Sequence, residues 1–255
     1  MIPDVKVVNS HPRQGIADVL DLTIVVPCLN EENNIEATLD TIAAAMSELE
    51  YSYEILVIDD GSTDQTAAIV KEYAQTHSRL PIHLHQNPRN RGLTRSYVDA
   101  SFLGQGKYYR LICGDNAEPK ESLLAIFSYL GKADIVIPYH EVTGKSALRL
   151  ALSKVYTTLV NLLSGYSVRY YNGCALHMRY NVMRWGPYSF GFGFQAELIT
   201  RLLDEGATYV EVPVNAVHHN KSRRNSALNT RNFLSVTHTL AEILIRRIRK
   251  RAFEK

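Results

Sequence analysis

Short apolar runs alternate with helical stripes along the first half of the chain. The run at 22–26 is rich in β-branched residues and predicts a strand, and apolar positions recur at helical spacing over 35–49. The same order repeats down to residue 138. Strands are predicted at 22–26, 54–58, 82–85, 108–113 and 134–138, with helical stripes at 35–49, 69–73, 93–103 and 121–130. Strand and helix alternating in this way predict an α/β fold with a parallel sheet and crossover helices.

The pattern changes after residue 143. It predicts a helix at 148–163, an aromatic-rich segment at 166–194, a helix at 195–205, a strand at 209–217 and a last helix over 232–250. Residues 1–20 carry no period and are expected to form a poorly ordered arm. With 255 residues the chain is long enough for one catalytic unit over 21–230, followed by a basic helix over 231–255.

Charge and cysteine content narrow the class of protein. Lys and Arg number 28 against 26 acidic residues, and this near balance cannot by itself drive binding to nucleic acid, so no such partner is expected. The three cysteines are far apart and lack C-x-x-C spacing, which disfavours a zinc site or disulfide framework and favours the reducing cytoplasm. The N-terminus lacks the pattern of a secretory signal peptide. No apolar run is long enough to predict a membrane span. The basic segment 245–255 either attracts anionic lipid headgroups or is a solvated helix end.

Polar turns follow the first two strands. The turn after the first strand offers the amide of Asn30 and the carboxylate of Glu31, although capping of the next helix by Asn30 explains it equally well. The turn DDGSTD at 59–64 begins with Asp59 and Asp60. Capping does not explain two neighbouring acids, because like charges at a sheet edge cost energy unless they are solvated or occupied.

A third polar turn, GDNAEP at 114–119, places Asp115 and Glu118 after the fourth strand. Magnesium takes oxygen ligands and commonly uses one or two carboxylates together with substrate phosphates. Ligands in parallel α/β sheets bind beyond the carboxyl ends of the strands. We therefore expect Glu31, Asp60 and Asp115 to converge around one pocket.

In this order and spacing the three motifs resemble those of family 2 glycosyltransferases, most closely the dolichyl and polyprenyl phosphate sugar transferases. The resemblance covers residues 22–236 and includes the step Arg91-Gly92-Leu93 after the third strand. It implies a GT-A fold, the Rossmann-like fold of nucleotide-diphospho-sugar transferases, with a mostly parallel sheet. The nucleotide-sugar-binding residues that it implies are Pro27, Leu29, Asn30, Glu31, Asp59, Asp60, Arg91, Gly92, Gly114 and Asp115.

The same resemblance implies a metal site with one departure from the family pattern. Asp115 takes the place of the second metal-binding aspartate, whereas Cys113 and Ala117 stand where the family has the first aspartate and a glutamine. The implied cofactor is Mg²⁺ or Mn²⁺, held by Asp115 with help from Glu118 and the substrate diphosphate. The departure leaves two alternatives open, a reduced dependence on metal and a non-catalytic nucleotide-sugar-binding homologue.

The second half of the chain resembles the acceptor side of those enzymes. Arg149 and Ser153 match their acceptor-phosphate motif, and Glu197 begins a helix as in their G-F-x-x-x-x-E-L pattern. Lys221, Arg223 and Ser226 stand in the place of their phosphate-binding loop. The resemblance therefore divides 21–230 into a donor-binding half at 21–140 and an acceptor half at 141–230.

The implied reaction is inverting transfer of a sugar from a nucleoside diphosphate sugar, GDP-mannose or a UDP-sugar, to a polyprenyl phosphate. A phosphate acceptor is already anionic and needs placement more than a general base. The implied catalytic residue for this acceptor is Asp115, which with its metal ion neutralises the departing diphosphate. The alternative is a saccharide or other hydroxyl acceptor, for which Glu197 is the candidate catalytic base. A cytoplasmic protein is expected, with peripheral contact to the inner membrane face left open.

Overall fold

A seven-stranded sheet forms the centre of the protein in a computed structural model that describes residues 19–140, 147–186, 193–215 and 230–253. The strands lie in the order β3-β2-β1-β4-β6-β5-β7. Their bounds are β1 Leu22–Cys28, β2 Tyr53–Asp59, β3 Ile82–Gln86, β4 Tyr108–Leu111, β5 Ile135–His140, β6 Leu176–Met178 and β7 Tyr209–Val214.

Helices cover both faces of the sheet. They are α1 Ile35–Met46, α2 Thr66–Thr76, α3 Leu93–Leu103, α4 Lys120–Phe127, α5 Ala147–Ser164, α6 Arg179–Arg184, α7 Phe194–Asp204 and α8 Thr230–Phe253. Within the described ranges, none of them combines the length and the apolar character needed to cross a bilayer.

The predicted parallel sheet is confirmed, with one strand that the sequence did not reveal. Strands β1, β2, β3 and β4 pair in parallel, as do β5 and β7. Strand β6 runs antiparallel between β4 and β5. Because β6 is three residues long and lies inside the aromatic segment, it is too short to display a period of two.

Two hydrophobic clusters lie on opposite faces of the sheet, because successive side chains of a strand point to opposite sides. On β1, Val25 joins one cluster, whereas Ile24 and Val26 join the other. The cluster around Val25 is covered by α3, α5, α6, α7 and α8, and the other by α1, α2 and α4. Strand β1 is therefore buried along its whole length, which explains its mostly apolar sequence.

Several predicted boundaries shift. Strand β4 ends at Leu111, two residues before the predicted end, and α1 ends at Met46. The end of the last predicted strand, at 216–217, lies outside the described residues, as do residues 1–18 of the predicted arm. The predicted C-terminal helix is present as α8, which begins at Thr230.

Candidate active site

The turns that follow β1 and β2 bind each other. Asn30 donates its backbone N–H to the Ser62 hydroxyl at 2.9 Å, and its side-chain oxygen accepts the backbone N–H of Thr63 at 2.8 Å. Asn30 adopts a left-handed backbone conformation with φ 56°, which Asn tolerates better than most residues. The interpretation of Asn30 as a helix cap is wrong, because α1 begins only at Ile35 and Asn30 instead joins the two turns.

Glu31 is held inside this double turn. Its backbone N–H donates to the Thr66 hydroxyl at 2.8 Å, and its carboxylate accepts the side-chain amide of Asn34 at 3.0 Å. The side chain is buried even though Glu31 lies in the loop three residues after the end of β1. Buried polar groups require hydrogen-bond partners, and the two turns supply them.

Asp60 organises the loop that follows β3. Its carboxylate accepts the backbone N–H of Arg91 at 2.9 Å, that of Gly92 at 2.8 Å, and the side-chain amide of Asn87 at 2.8 Å. Three donors satisfy this buried carboxylate, which explains why it can stand next to Asp59. Asp60 thereby fixes the backbone at the predicted nucleotide-contacting step.

Asp59 and Arg91 also have partners within the chain. One Asp59 oxygen accepts the backbone N–H of Ser62 at 2.9 Å, which closes the turn after β2. The Arg91 guanidinium lies 2.6 Å from Asp99 on α3. Asp60 therefore fixes the backbone of Arg91, whereas the guanidinium of Arg91 is held by Asp99.

The loop between β4 and α4 is pinned on both sides of Asp115. Gly114 donates its N–H to the Pro27 carbonyl at 3.2 Å, and a Cβ at this position would lie 3.0 Å from that of Cys28. Asn116, with φ 51°, accepts the Thr41 hydroxyl at 3.1 Å. Between these anchors, one Asp115 carboxylate oxygen is buried and has no hydrogen-bond partner among the described residues.

A buried ion pair also holds the loop on the C-terminal side of Asp115. Arg110 on β4 has 1% of its side chain exposed, and its guanidinium lies 2.6 Å from the Glu118 carboxylate, which is 21% exposed. A buried guanidinium needs a charged partner, because desolvating it alone costs several kcal/mol. Glu118 supplies that partner, and the ion pair ties the end of the loop to β4.

The three predicted acids lie at one edge of the sheet. Glu31, Asp60 and Asp115 follow the carboxyl ends of β1, β2 and β4, which are neighbouring parallel strands. The Cys28 thiol lies among these turns, and burial raises its pKa, as does the negative charge of the surrounding carboxylates. The structure therefore brings the first three motifs together.

The residues here fit a metal ion only in part. Among the described residues no group of three or more His, Cys, Asp and Glu side chains could hold one. Glu118 is engaged by Arg110, and a hydrogen bond with Cys174, together with burial, raises the pKa of the Cys113 thiol well above its usual value. Asp115 remains as one carboxylate, one oxygen of which has no partner within the ranges that the structure describes, and this suits a hard ion that takes its other ligands from water and a diphosphate.

The predicted acceptor residues are placed less completely. Glu197 on α7 is fully buried, and its carboxylate lies 3.3 Å from the Arg201 guanidinium. Ser153 lies on α5 and is half-buried. Arg149 belongs to α5, but its side chain lies outside the described residues, as do Lys221, Arg223 and Ser226 altogether. The roles of these residues therefore stay predictions.

Sequence reasoning missed two residues that shape the site. Asn87 is buried and bonds Asp60, and Arg110 holds Glu118. A signal for Arg110 was present, because a charged residue inside an apolar strand is almost never buried without a partner. No comparable signal marks Asn87, since amides are common in loops.

Comparison with protein families gives one match that covers most of the chain. The model described as Glycosyl transferase family 2 matches residues 23–184. The dolichyl-phosphate beta-glucosyltransferase of Dictyostelium discoideum is 32% identical over 114 residues, which cover 43% of this chain and 34% of the relative. The polyprenol monophosphomannose synthase of Mycolicibacterium smegmatis is 26% identical over 204 residues, which cover 75% of each protein. Against the first relatives matched, the chain spans between a third and a half of their length.

Two solved structures share the architecture. Glucosyl-3-phosphoglycerate synthase from Mycobacterium tuberculosis, in complex with Mn²⁺, UDP and phosphoglyceric acid, has a TM-score of 0.69 and 16% identity, covering 88% of this chain and 78% of that one. A mannosyltransferase from Pyrobaculum calidifontis, in complex with GDP-Man and Mn²⁺, has a TM-score of 0.65 and 22% identity, covering 90% and 64%. These likenesses confirm the fold class predicted from the sequence.

Proposed function

This chain belongs to glycosyl transferase family 2, and from that membership we propose that it transfers a sugar from a nucleoside diphosphate sugar to a polyprenyl phosphate. The observation that carries the proposal is the edge of the sheet at which the first three motifs meet, where one buried oxygen of Asp115 has no hydrogen-bond partner in the described part of the chain. Relatives named for dolichyl, polyprenol and undecaprenyl phosphate substrates support this acceptor class.

The donor nucleoside is proposed to lie against the joined turns after β1 and β2. Pro27, Leu29, Asn30 and Glu31 form one side, and the turn that begins at Asp59 forms the other. Asp60 contributes by fixing the backbone at Arg91 and Gly92. Because these loops are tied to each other by hydrogen bonds, little ordering accompanies binding of the nucleotide.

The diphosphate is proposed to lie beside Asp115 and the backbone of Gly114. A Mg²⁺ or Mn²⁺ ion bound by Asp115 and the diphosphate would neutralise the negative charge on the leaving group. Glu118 was also predicted as a ligand, but its ion pair with Arg110 favours a supporting role.

The acceptor phosphate is proposed to attack the anomeric carbon on the face opposite the diphosphate. A carbon–oxygen bond to the acceptor forms as the bond to the diphosphate breaks, which inverts the anomeric configuration. No proton must be removed, because a phosphate monoester is anionic at neutral pH. Arg149, Ser153, Lys221, Arg223 and Ser226 are proposed to place the acceptor.

The environment of Glu197 favours a phosphate acceptor over a hydroxyl acceptor. A hydroxyl nucleophile requires a base within hydrogen-bond reach, whereas the Glu197 carboxylate is fully buried and paired with Arg201. A polyprenyl phosphate also carries its reactive group on a lipid, so the protein is proposed to work as a cytoplasmic enzyme at the inner face of a membrane.

Transfer assays with purified protein test the proposal. GDP-mannose and several UDP-sugars are incubated with a short polyprenyl phosphate or its dephosphorylated alcohol, with Mn²⁺ or a chelator, and products are identified by mass. We expect a prenyl phosphate sugar from one donor, and its loss in Asp115→Asn. If no donor reacts above the Asp115→Asn background, the non-catalytic alternative stands. Transfer to the alcohol, abolished in Glu197→Gln with nucleotide binding preserved, would establish the hydroxyl-acceptor reaction instead.

A further inference from the structure

The order of the strands arranges the edge of the sheet beyond Asp115. The turns after β1 and β2 adjoin β4 and its Asp115 loop, and β6 and β5 come next in the sheet. Strand β6 is antiparallel to both of its neighbours, so the segment before it, residues 171–175, lies at the carboxyl ends of β4 and β5. Neighbouring strands are about 4.8 Å apart. A donor with its diphosphate beside Asp115 therefore has its sugar over this segment.

The segment 171–175 is held against both β5 and α7. Gly173 packs so closely on β5 that a Cβ there would lie 2.5 Å from the carbonyl oxygen of Pro138. The backbone N–H of Ala175 donates to the side-chain oxygen of Gln195 at 3.3 Å, and Gln195 is itself 2% exposed. The backbone of the segment is therefore fixed between the end of β5 and the first turn of α7.

The same segment contacts the loop that carries Asp115. The Cys174 thiol is hydrogen-bonded to Cys113, which stands two residues before Asp115. Both thiols pack against the hydrophobic cluster around Val25. The segment and the Asp115 loop are therefore direct neighbours, and a ligand group beside Asp115 is continuous with one over the segment.

Asn172 supplies an amide at this place. It is half-buried, and its side-chain oxygen is buried without a hydrogen-bond partner among the described residues. The hydroxyl of the preceding residue, Tyr171, is used within the fold, since it donates to Asn161 at 2.8 Å. A buried amide oxygen normally has a partner, and leaving it without one costs free energy. An amide offers a donor and an acceptor together, which matches a sugar hydroxyl, whereas a phosphate is matched better by a cation.

We propose that the side-chain amide of Asn172 binds a hydroxyl of the transferred sugar and thereby takes part in the choice of donor. Its oxygen accepts the hydroxyl O–H, and its N–H donates to the oxygen of the same hydroxyl or of a neighbouring one. The inference rests on the proposed function for the position of the diphosphate, which decides which part of the donor lies beyond Asp115. Asn172 is a specificity-determining residue in this arrangement and moves no proton.

Binding of a nucleoside diphosphate and of its sugar derivative, measured by isothermal titration calorimetry with the full chain, tests the inference without requiring transfer. The ligand is GDP-mannose or the UDP-sugar that the unmodified protein binds best, compared with GDP or UDP. Asn172→Ala should weaken the sugar nucleotide by about tenfold and leave the bare nucleoside diphosphate unchanged, as expected for the loss of one or two hydrogen bonds. Asn172→Asp, which has nearly the same shape but lacks the N–H donor, should also weaken only the sugar nucleotide.

Asn181→Ala is the control. Asn181 is a buried amide on α6, which follows β6 and therefore lies at the opposite edge of the sheet. This variant should alter neither affinity, even if it lowers the melting temperature.

Monodeoxy analogues of the same sugar nucleotide identify the hydroxyl. Removing the hydroxyl that Asn172 binds should weaken binding to the unmodified protein by about tenfold and weaken binding to Asn172→Ala much less, because that contact is already lost. The other deoxy analogues should lose the same factor in both proteins. A side chain that only supported the segment would lower the affinity for every analogue equally.

Three results overturn the inference. They are equal weakening of the nucleoside diphosphate and its sugar derivative in Asn172→Ala, unchanged binding of both, and deoxy effects that are additive at every position. A rise confined to the KM for the acceptor would assign Asn172 to the acceptor instead. If Asn172→Ala does not fold, Asn172→Asp gives the same comparison.

Failure of the contact and failure of the reaction give different results. Sugar-nucleotide binding that depends on Asn172, without transfer to any prenyl phosphate, refutes the proposed reaction and leaves the sugar contact standing. Transfer to a prenyl phosphate that is indifferent to Asn172 refutes only the contact. An unmodified protein that binds no sugar nucleotide refutes both.

Discussion

The ion pair between Arg110 and Glu118 makes a quantitative prediction about the loop that carries Asp115. Replacing Glu118 by Leu removes the partner of a guanidinium that is 1% exposed and whose Nε has no hydrogen-bond partner among the described residues. Breaking a buried pair in this way costs about 3–5 kcal/mol. Because the Glu118 side chain is 21% exposed, water screens part of the effect, and we expect the lower end, about 3 kcal/mol.

The double variant Arg110→Met with Glu118→Leu is the informative partner of that change. It removes the stranded charge and fills the space with apolar groups, so most of the lost stability should return, as for other buried pairs. Urea unfolding at neutral pH measures the wild-type protein, both single variants and the double variant. The exposed pair between Lys120 and Glu48, with side chains 36% and 51% exposed, is the control, and Glu48→Leu should leave the urea midpoint almost unchanged.

The dependence of transfer on metal then separates the two roles of Glu118. If Glu118 supports the loop, the double variant regains transfer at the wild-type Mn²⁺ concentration. If Glu118 is a ligand, the double variant still needs more Mn²⁺ although its stability has returned. Equal destabilisation in Glu118→Leu and in the double variant would refute the argument from the buried charge.

Three further predictions concern buried groups and turns of the sheet. Asp60→Asn should lower the free energy of unfolding by about 2 kcal/mol, because an amide has only one acceptor oxygen whereas the Asp60 carboxylate accepts at both of its oxygens. It should also weaken nucleoside diphosphate binding in a thermal-shift titration, and unchanged binding would contradict this. Gly61→Ala should destabilise the protein by over about 1 kcal/mol more than Gly206→Ala. Both glycines have positive φ, but only at Gly61 would a Cβ lie 2.7 Å from the Arg89 backbone, so equal urea midpoints would refute the clash. Burial lowers the pKa of His177 to about 4, so the unfolded state binds more protons between that value and about 6.5, and stability falls as pH falls through this window. His177→Gln should remove about 2 kcal/mol of the loss between pH 7 and pH 5, and an unchanged pH slope would exclude His177 as its source.

The sequence predicted the central sheet because its signals were local. Strands β1 and β2 are mostly apolar and end in polar turns, and parallel strands bring those turns to one edge. The placement of Glu31, Asp60 and Asp115 after the ends of neighbouring parallel strands followed from that rule without any knowledge of contacts. Strand β6 was missed because its pairing partners, and not its three residues, make it a strand.

Pairings between distant residues could not be predicted. Asn30 bonds a residue 33 positions away, and Asp60 bonds Arg91 at a separation of 31. Each acid carries the same local pattern whether it binds a ligand or a loop, so the sequence alone does not separate the two. The basic end of α8 shows the same limit, since Arg246 is bound to Asp204 and is not wholly available to a lipid surface.

Under the proposed function, the hydrogen bonds around Asp60 link nucleotide binding to folding. The oxygen atoms that define the edge of the sheet also keep the loop at Arg91 in one shape before any nucleotide arrives. A variant selected for a new donor base therefore gains most from changes in side chains that leave these backbone bonds intact. Substitution of Asp60 itself would leave the loop at Arg91 less ordered before binding. The complex would then be weaker even if every ligand contact were retained, because the loop would have to be ordered on binding.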